Sequence, residues 1–206
     1  MRKAIIIIIL LLLAAGAYWG YGYYRKVFLP NVALEQDFEL LIHSGAGFEA
    51  VMDSLAKNGV LKDMKGFKWV AHKKDYPERI RPGRFLVKPG MSNNELVNKL
   101  RSGAQDPVRL VLHDVSGVYE LAGKLSRKLE PDSTEFLVFL NSKEKLEPYE
   151  VDPYTVTAYF LPNTYEMYWN LTAEQVMSRM RDEFYRFWTD ERLKKAREME
   201  LSPIEV

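Results

Sequence analysis

The segment Tyr154 to Tyr168 combines many aromatic side chains and turn-forming residues with one carboxylate, Glu166. A carboxyl group in apolar surroundings holds its proton to a higher pH than in water, because burial disfavours the charged form. Such a group can protonate a leaving oxygen as a general acid. Glu166 is therefore the candidate acid here, and Glu150 and Asp152 just upstream are weaker candidates. The alternative interpretation of Glu166 is a solvated or arginine-paired surface carboxylate.

Other kinds of chemistry find little support in the sequence. The chain has no cysteine, which excludes disulfides, cysteine nucleophiles and thiolate metal sites. Its histidines, His43, His72 and His113, are scattered without the spacing of metal ligands, so the sequence predicts neither a metal site nor a cofactor. The net charge of +1 argues against a nucleic-acid-binding protein, which usually carries a strong basic excess.

The first part of the chain predicts a membrane anchor. Ala4 to Tyr24 carries no charge and, at about 1.5 Å per residue, spans roughly 30 Å, the thickness of a bilayer's hydrocarbon core. Arg2 and Lys3 precede the segment, and Arg25 and Lys26 follow it. Its last part carries the aromatic residues of an interfacial belt: Tyr18, Trp19, Tyr21, Tyr23 and Tyr24. The alternative is a cleaved signal peptide with a small-residue site at Ala15-Gly16-Ala17. Because the apolar stretch continues into aromatic residues, an uncleaved anchor is favoured, with the short N-terminus inside.

The remaining chain predicts an α+β protein of several parts. Residues 1–26 form a cytoplasmic tip and transmembrane anchor, and residues 27–37 form a proline-containing linker. Residues 38–112 predict a small domain in the order strand, helix, helix, strand, helix and a strand leading out. Residues 113–206 predict a second region that ends in a long helix over 172–195.

Shorter signals refine this picture. Ser92-x-x-Glu95 is a capping box that opens a helix. The stripe from Val176 to Trp188 is interpreted as core. The basic stretch from Lys62 to Arg84 is interpreted as a solvated face, or as a surface for anionic lipid headgroups or wall carboxylates. Ser202 to Glu205 has the pattern of a helix start without its helix, so we expect a fragment of a longer protein, the alternative being a frayed tail.

Two stretches resemble one protein family. Arg81 to Gly103 is similar to the G-x-Y-x-L-x-x-G-M-S-x-x-E-L-x-x-x-L-x-x-G signature of the LysM-like domain in YceG-like endolytic murein transglycosylases. Tyr159 to Tyr165 is similar to that family's catalytic-domain motif, E-G-[YW]-x-x-P-[DN]-T-Y. The order of anchor, LysM-like domain and catalytic domain also agrees. The resemblance implies that residues 38–112 are LysM-like and that residues 113–206 are the first, incomplete part of a catalytic domain.

This resemblance implies cleavage of the β-1,4 bond between N-acetylmuramic acid and N-acetylglucosamine in nascent peptidoglycan strands. The reaction is a lyase reaction in which the muramoyl 6-hydroxyl attacks C1 and leaves a 1,6-anhydro end, which limits strand elongation. The implied partners are glycan strands, the lipid bilayer and peptidoglycan synthases, at a bacterial inner membrane with the C-terminal part outside the cytoplasm. The implied sugar-binding residues are Tyr159, Phe160, Asn163, Thr164, Tyr165 and Trp169. Asn163 and Thr164 have the alternative role of capping a turn.

The chain departs from the family motif at Thr157, which aligns with the catalytic glutamate. Threonine has no proton to donate at neutral pH. Three alternatives follow: Glu166 supplies the acid, a residue beyond Val206 supplies it, or this member is catalytically weak. A non-catalytic peptidoglycan-binding or scaffold protein is the competing function. The 206-residue chain alone is expected to be inactive or unstable, because an incomplete core leaves apolar surface exposed.

Overall fold

The structure, a computed structural model, describes residues 2–113 and 115–205, with side chains from Ile5 onwards. The side chains of Arg2 and Lys3, part of the predicted basic flank, therefore lie outside the described residues. The chain divides into two compact units, Met1–Asp106 and Pro107–Val206. Each described unit combines helices with a two-stranded antiparallel sheet, which confirms the predicted α+β fold class.

The N-terminal residues form one long helix, α1 (Arg2–Phe28). Its segment Ile5–Phe28 is long and apolar enough to cross a membrane, and its most apolar stretch is not covered by protein. Uncovered aliphatic side chains along a whole helix are favourable in hydrocarbon and unfavourable in water. The helix is thus compatible with the predicted single-pass membrane anchor.

The rest of the first unit follows the predicted order of elements. These are β1 (Phe38–Ile42), α2 (Phe48–Lys57), α3 (Met64–Lys73), β2 (Gly83–Val87) and α4 (Asn93–Ser102). β1 and β2 pair in antiparallel fashion and bring the fully buried Leu40 and Phe85 opposite each other. The three helices complete the core with buried apolar residues that include Leu55, Phe67 and Leu96.

Both ends of α4 carry the signals that the sequence predicts. The hydroxyl of Ser92 accepts a hydrogen bond from the Glu95 backbone N–H at 3.2 Å, and the Glu95 carboxylate accepts one from the Ser92 N–H at 2.8 Å. The Ser92 hydroxyl also donates to the Glu95 carboxylate at 2.7 Å, and the two hydrogen bonds that Ser92 donates to this carboxylate hold the pKa of Glu95 below its usual value. Gly103 ends the helix in the left-handed conformation, with φ of 71°, which favours glycine. The predicted capping box is confirmed.

The sequence suggested a linker over 27–37, but the start of this segment belongs to the end of α1 and to the core of the first unit. Val27 and Val32 are buried in the core of the unit. Pro30 and Val32 form isolated β-bridges with Ser92 and Leu61 respectively. Proline and polar residues suggested an open connection, but the burial of two valines holds this segment in place.

The second unit contains a longer series of short elements. In chain order they are β3 (Val108–Leu112), α5 (Val118–Ser126), α6 (Ser133–Leu140), α7 (Lys143–Leu146), 3-10 turns at Glu147–Tyr149 and Val156–Tyr159, β4 (Asn163–Met167), α8 (Ala173–Phe187) and α9 (Asp190–Glu198). Their apolar faces form one core that includes Leu110, Leu121, Phe136 and Met180.

β3 pairs with β4 in the second unit, whereas the sequence suggested a strand leading out of the first domain. The two strands are antiparallel, with Arg109 opposite Glu166 and Leu110 opposite Tyr165. The boundary between the two units along the chain therefore lies between Asp106 and Pro107, whereas the sequence placed it after residue 112. The difference arises because a strand's own residues do not reveal which distant strand it pairs with.

The helix predicted over 172–195 is interrupted near its middle. α8 ends at Phe187, and Trp188 leaves the helical conformation with ψ of 75°. Thr189 then takes the extended conformation of an N-cap, and Asp190 opens α9. Threonine followed by acidic residues is a typical helix start. At Thr189 this local signal begins a new helix, although the helical pattern of apolar residues continues through it. The stripe from Val176 to Trp188 was interpreted as core, and α8 does bury Val176, Met180 and Phe184. Phe187 near the end of the stripe is instead 40% exposed, because α8 ends there.

Candidate functional site

The alternation of side chains along β4 decides which predicted residues can share a site. Successive residues of a strand point to opposite faces of the sheet. Tyr165 and Met167 point into the core of the second unit and are buried. Asn163, Thr164 and Glu166 are exposed to solvent. β4 thus separates the candidate acid from the aromatic residue directly before it.

Glu166 lies opposite an arginine on the neighbouring strand. The Glu166 Oε1 is 3.7 Å from the Arg109 Nε, and the two side chains are 63% and 75% exposed. An ion pair this open to water contributes at most about 1 kcal/mol. The position matches the alternative interpretation of Glu166, an arginine-paired surface carboxylate, because water surrounds the carboxyl group and no apolar pocket does.

The aromatic residues predicted to bind sugar form part of the core. Tyr159, Phe160, Tyr165 and Trp169 are all buried. The Tyr159 hydroxyl donates a hydrogen bond to the Tyr149 carbonyl at 2.7 Å, and the Tyr165 hydroxyl donates one to the Leu161 carbonyl at 2.7 Å. Burial raises the pKa of both tyrosines. These four rings therefore pack in the core of the second unit and have little open surface on which a sugar ring could stack.

Replacing Tyr159 with phenylalanine is expected to destabilise the second unit by about 1–2 kcal/mol, because the buried Tyr149 carbonyl loses its donor. Thermal unfolding of the chain in detergent micelles, followed by near-ultraviolet circular dichroism, measures the change. Tyr154→Phe is the matched control, since that side chain is 89% exposed and its hydroxyl faces water. An equal effect of both changes would contradict this role of the Tyr159 hydroxyl.

An open groove of about 570 Å³ lies beside the motif segment in the second unit. Thr157, Ala158 and Phe160 form one part of its wall, and Phe187 and Trp188 at the end of α8 form another. The remaining lining residues are Val115, Tyr154, Thr155, Leu161, Pro162, Pro203, Ile204 and Glu205. The position that aligns with the family's catalytic glutamate therefore faces open space.

A second hollow of about 440 Å³ shares three lining residues, Leu161, Pro162 and Phe187, with this groove. Asn163 lines it too, together with Tyr165, Glu183 and Arg186. The structure thus brings Thr157, Phe160, Asn163 and Tyr165 to adjoining hollows. The lining of these two hollows contains none of four other predicted site residues: Tyr159, Thr164, Glu166 and Trp169.

Two described carboxylates, Glu205 and Glu183, line these hollows, and both have partners close by. The Glu205 carboxylate accepts hydrogen bonds from the backbone N–H and hydroxyl of Ser202 at 2.8 and 2.6 Å, which lower its pKa. Glu183 lies 2.8 Å from the Arg186 guanidinium. The upstream candidate Asp152 is exposed, and the Thr155 hydroxyl lowers its pKa. A general acid needs the opposite shift.

Two groove residues escaped the sequence reasoning. Trp188 was assigned to the core, yet it lines the groove, and its indole Nε1 has no hydrogen-bond partner among the described residues. A buried N–H without an acceptor is uncommon. The Trp188 Nε1 atom is shielded from solvent, so the tryptophan contributes the surface of its ring to the groove and not this N–H. Glu205 was noted only as part of a helix start. The sequence signal that could have found Trp188 is the Thr189-Asp190 helix start, which ends the preceding helix at this residue.

Metal binding finds no support within residues 2–113 and 115–205, where no group of three or more metal-ligating side chains comes together. The polar side chains that line the groove offer hydroxyl groups, from Tyr154, Thr155 and Thr157, and one carboxylate, from Glu205.

These features define a class of α+β proteins with an apolar N-terminal helix and an open surface groove. Comparison with known proteins gives the family. The model of the YceG-like family matches residues 40–206, so the chain belongs to the YceG-like family. The motifs at Arg81–Gly103 and Tyr159–Tyr165 both fall inside this match.

A solved structure also resembles the chain. A YceG-like protein from Listeria monocytogenes is 16% identical in sequence, with a TM-score of 0.42, over 82% of this chain and 61% of that chain. The chain thus spans about three fifths of the length of that protein. No curated protein matches the chain.

Proposed function

We propose that the chain is part of a membrane-anchored lytic transglycosylase that cuts peptidoglycan. It cleaves the β-1,4 bond between N-acetylmuramic acid and N-acetylglucosamine within nascent glycan strands, leaves 1,6-anhydro ends and so limits strand elongation. The observation that carries the proposal is membership of the YceG-like family over residues 40–206. α1 fits the role of a tether that keeps the enzyme near newly made strands at the outer face of the inner membrane.

The groove beside Thr157 is the proposed glycan site. It is open along its length, as a site for an internal bond of a long polymer must be. Tyr154 and Phe187 offer exposed aromatic surface, which suits stacking on sugar rings. Thr157 and Asn163 offer groups that hydrogen-bond hydroxyls and acetamido oxygens. The buried rings of Tyr159 and Phe160 hold this wall rigid.

The reaction itself needs one carboxyl group and no outside water. The acid protonates the glycosidic oxygen while positive charge develops at C1. The muramoyl 6-hydroxyl then attacks C1, and the same carboxylate accepts the hydroxyl proton. The C1–oxygen bond to the leaving sugar breaks as the 1,6-anhydro bond forms, so the acid is regenerated.

We infer that none of the described candidates at or near the groove is this acid. Thr157 carries no acidic proton, Glu205 has a lowered pKa and Glu183 is paired with Arg186. Glu166, the acid favoured by the sequence, faces water and Arg109. The open space in front of Thr157 leaves room for a carboxyl group to reach the groove.

Replacing Glu166 with glutamine should leave the yield of anhydro-ended muropeptides from the full-length protein within about twofold of wild type, because the change removes only an exposed ion pair. The products are quantified by liquid chromatography and mass spectrometry. Glu144→Gln, at an exposed carboxylate on α7, is the matched control. A loss of more than about tenfold for Glu166→Gln alone would restore Glu166 as the acid.

The reaction class is tested with the full-length protein reconstituted in a bilayer and given uncrosslinked glycan strands. The proposal expects products with 1,6-anhydro-N-acetylmuramic acid ends and none with reducing muramic acid ends. Hydrolytic products would contradict the lyase mechanism. Strand binding without any cleavage would favour the alternative function, a peptidoglycan-binding scaffold for synthases.

A further inference from the structure

We propose that one face of α3 in the first unit lies on the membrane surface and binds anionic lipid headgroups. The face consists of Lys65, Trp69 and Lys73, which follow one another at intervals of four residues and so share one side of the helix. This lysine–tryptophan face is joined by Lys26 at the end of α1. The inference rests on the proposed membrane anchoring and is independent of the proposed enzymatic activity.

Direct contacts hold α1 against this face. The ring of Tyr23 meets the ring of Trp69 edge to face, with centroids 5.6 Å apart. The ammonium group of Lys26 lies over the Trp69 ring, 5.0 Å from its centroid. The ammonium group of Lys73 lies 5.8 Å from the same centroid. Trp69 is therefore the point at which the anchor helix and α3 meet.

Buried hydrogen bonds fix the end of α1 as well. The Asn93 side chain donates a hydrogen bond to the Lys26 carbonyl at 2.8 Å. The side-chain oxygen of Asn93, Oδ1, accepts a hydrogen bond from the Asn31 side-chain amide at 2.7 Å. Val27 is buried in the core of the first unit. With the helix end held at these points, the depth of the anchor in the bilayer also sets the height of α3.

The length of α1 places this junction at the headgroups. At about 1.5 Å per residue, Tyr23 lies roughly 29 Å along the helix from Ala4, close to the full thickness of the hydrocarbon core. Lys26 follows about 5 Å further on. Tryptophan and tyrosine prefer this interfacial level, and lysine extends from it towards phosphates. The lysine–tryptophan face thus lies where lipid phosphates are.

The charge of the face suits an anionic partner. Among the described side chains, Lys26, Lys65 and Lys73 form no ion pair with a carboxylate, whereas Lys68 on another side of α3 is paired with Glu49 at 3.5 Å. The nearest acid on α3, its N-cap Asp63, is engaged by the backbone N–H of Gly66. Each free lysine near an anionic surface strengthens binding roughly fivefold.

Single-site labelling tests the proposal, because the chain contains no cysteine. A fluorophore is placed at Lys65→Cys or, as the matched control, at Lys57→Cys at the exposed end of α2. Each full chain is reconstituted in nanodiscs that contain lipids with a headgroup nitroxide quencher. The nanodiscs consist of phosphatidylcholine alone or of phosphatidylcholine mixed with phosphatidylglycerol.

We expect quenching at position 65 to exceed that at position 57 several-fold. It should rise with phosphatidylglycerol and fall in about 1 M salt, where the screening length is about 3 Å. Adding Lys73→Gln should lower the equilibrium constant for contact between position 65 and the lipid roughly fivefold, whereas adding Arg79→Gln should leave it unchanged.

Equal quenching at positions 65 and 57 overturns the proposed contact between α3 and the membrane. Quenching at position 65 that is the same in both lipids overturns the preference for anionic lipid. Failure of the chain to remain in nanodiscs overturns the anchoring itself.

Discussion

Replacing Ala158 with tryptophan should lower the rate of anhydro-muropeptide formation by the full-length protein by roughly 100-fold or more. Ala158 lines the groove next to Thr157, so an indole at this position occupies the space proposed for the glycan. Displacing a substrate by even about 1 Å from its reactive position costs on the order of 10²-fold in rate. The rate is measured by mass spectrometry of products from glycan strands.

Tyr119→Trp is the matched control for this groove-filling change. Tyr119 lies on α5, is 76% exposed and belongs to neither of the two adjoining hollows. Its replacement should leave the rate unchanged, and circular dichroism should show the same folded content in both variants. Full activity of Ala158→Trp would show that the glycan binds elsewhere.

The second large effect concerns the buried asparagine pair at the end of the anchor. Asn31→Ala should destabilise the first unit by about 2–3 kcal/mol, because it removes three hydrogen bonds of 2.7–3.0 Å. The groups left without these bonds are the backbone N–H and carbonyl of Asp63 and the side-chain Oδ1 of Asn93. Asn93→Ala should cost a similar amount, because it removes the donor to the Lys26 carbonyl. The two changes should couple by at least about 1 kcal/mol, since the side chains bond directly.

Hydrogen exchange in nanodiscs measures this effect without unfolding the anchor. Protection of the amides of α4 and β2 should fall by roughly 30-fold for about 2 kcal/mol. Asn58→Ala is the control, because that exposed side chain only caps the end of α2. Protection that is unchanged in both buried variants would contradict the rigid junction on which the position of α3 depends.

Local signals in the sequence predicted much of the fold. The uncharged run over Ala4–Tyr24 predicted a helix, and α1 is that helix. Ser92 and Glu95 predicted a capped helix start, and Gly103 predicted the end. Such features depend on a residue and its neighbours three or four positions away, so the sequence contains all the information they need.

Pairings between distant residues were beyond the sequence reasoning. Val108–Leu112 alternates clearly as a strand, but nothing in it indicates that its partner is Asn163–Met167 more than fifty residues later. The segment after α1 resembled a linker, because the partners of Asn31 and Val32 lie far along the chain, between Leu61 and Asn93. These contacts are set by the packing of the whole unit and not by local preference.

The orientation of Glu166 follows from the strand pattern of its own segment. Glu166 was the predicted acid because aromatic residues are its neighbours along the chain. In a strand, neighbours along the chain lie on opposite faces, and Thr164-Tyr165-Glu166-Met167 alternates polar and apolar residues. Strand periodicity alone indicates that Glu166 shares a face with Thr164 and not with Tyr165.

The most direct test of the glycan site is hydrogen exchange of the full-length protein with and without an uncleaved peptidoglycan oligosaccharide. The proposal predicts added protection in the two segments that form the groove wall, residues 154–163 and 186–189, and none in α5 at residues 118–126. Protection confined to the first unit, with residues 154–163 unchanged, would contradict the assignment of the groove as the place where this protein binds glycan.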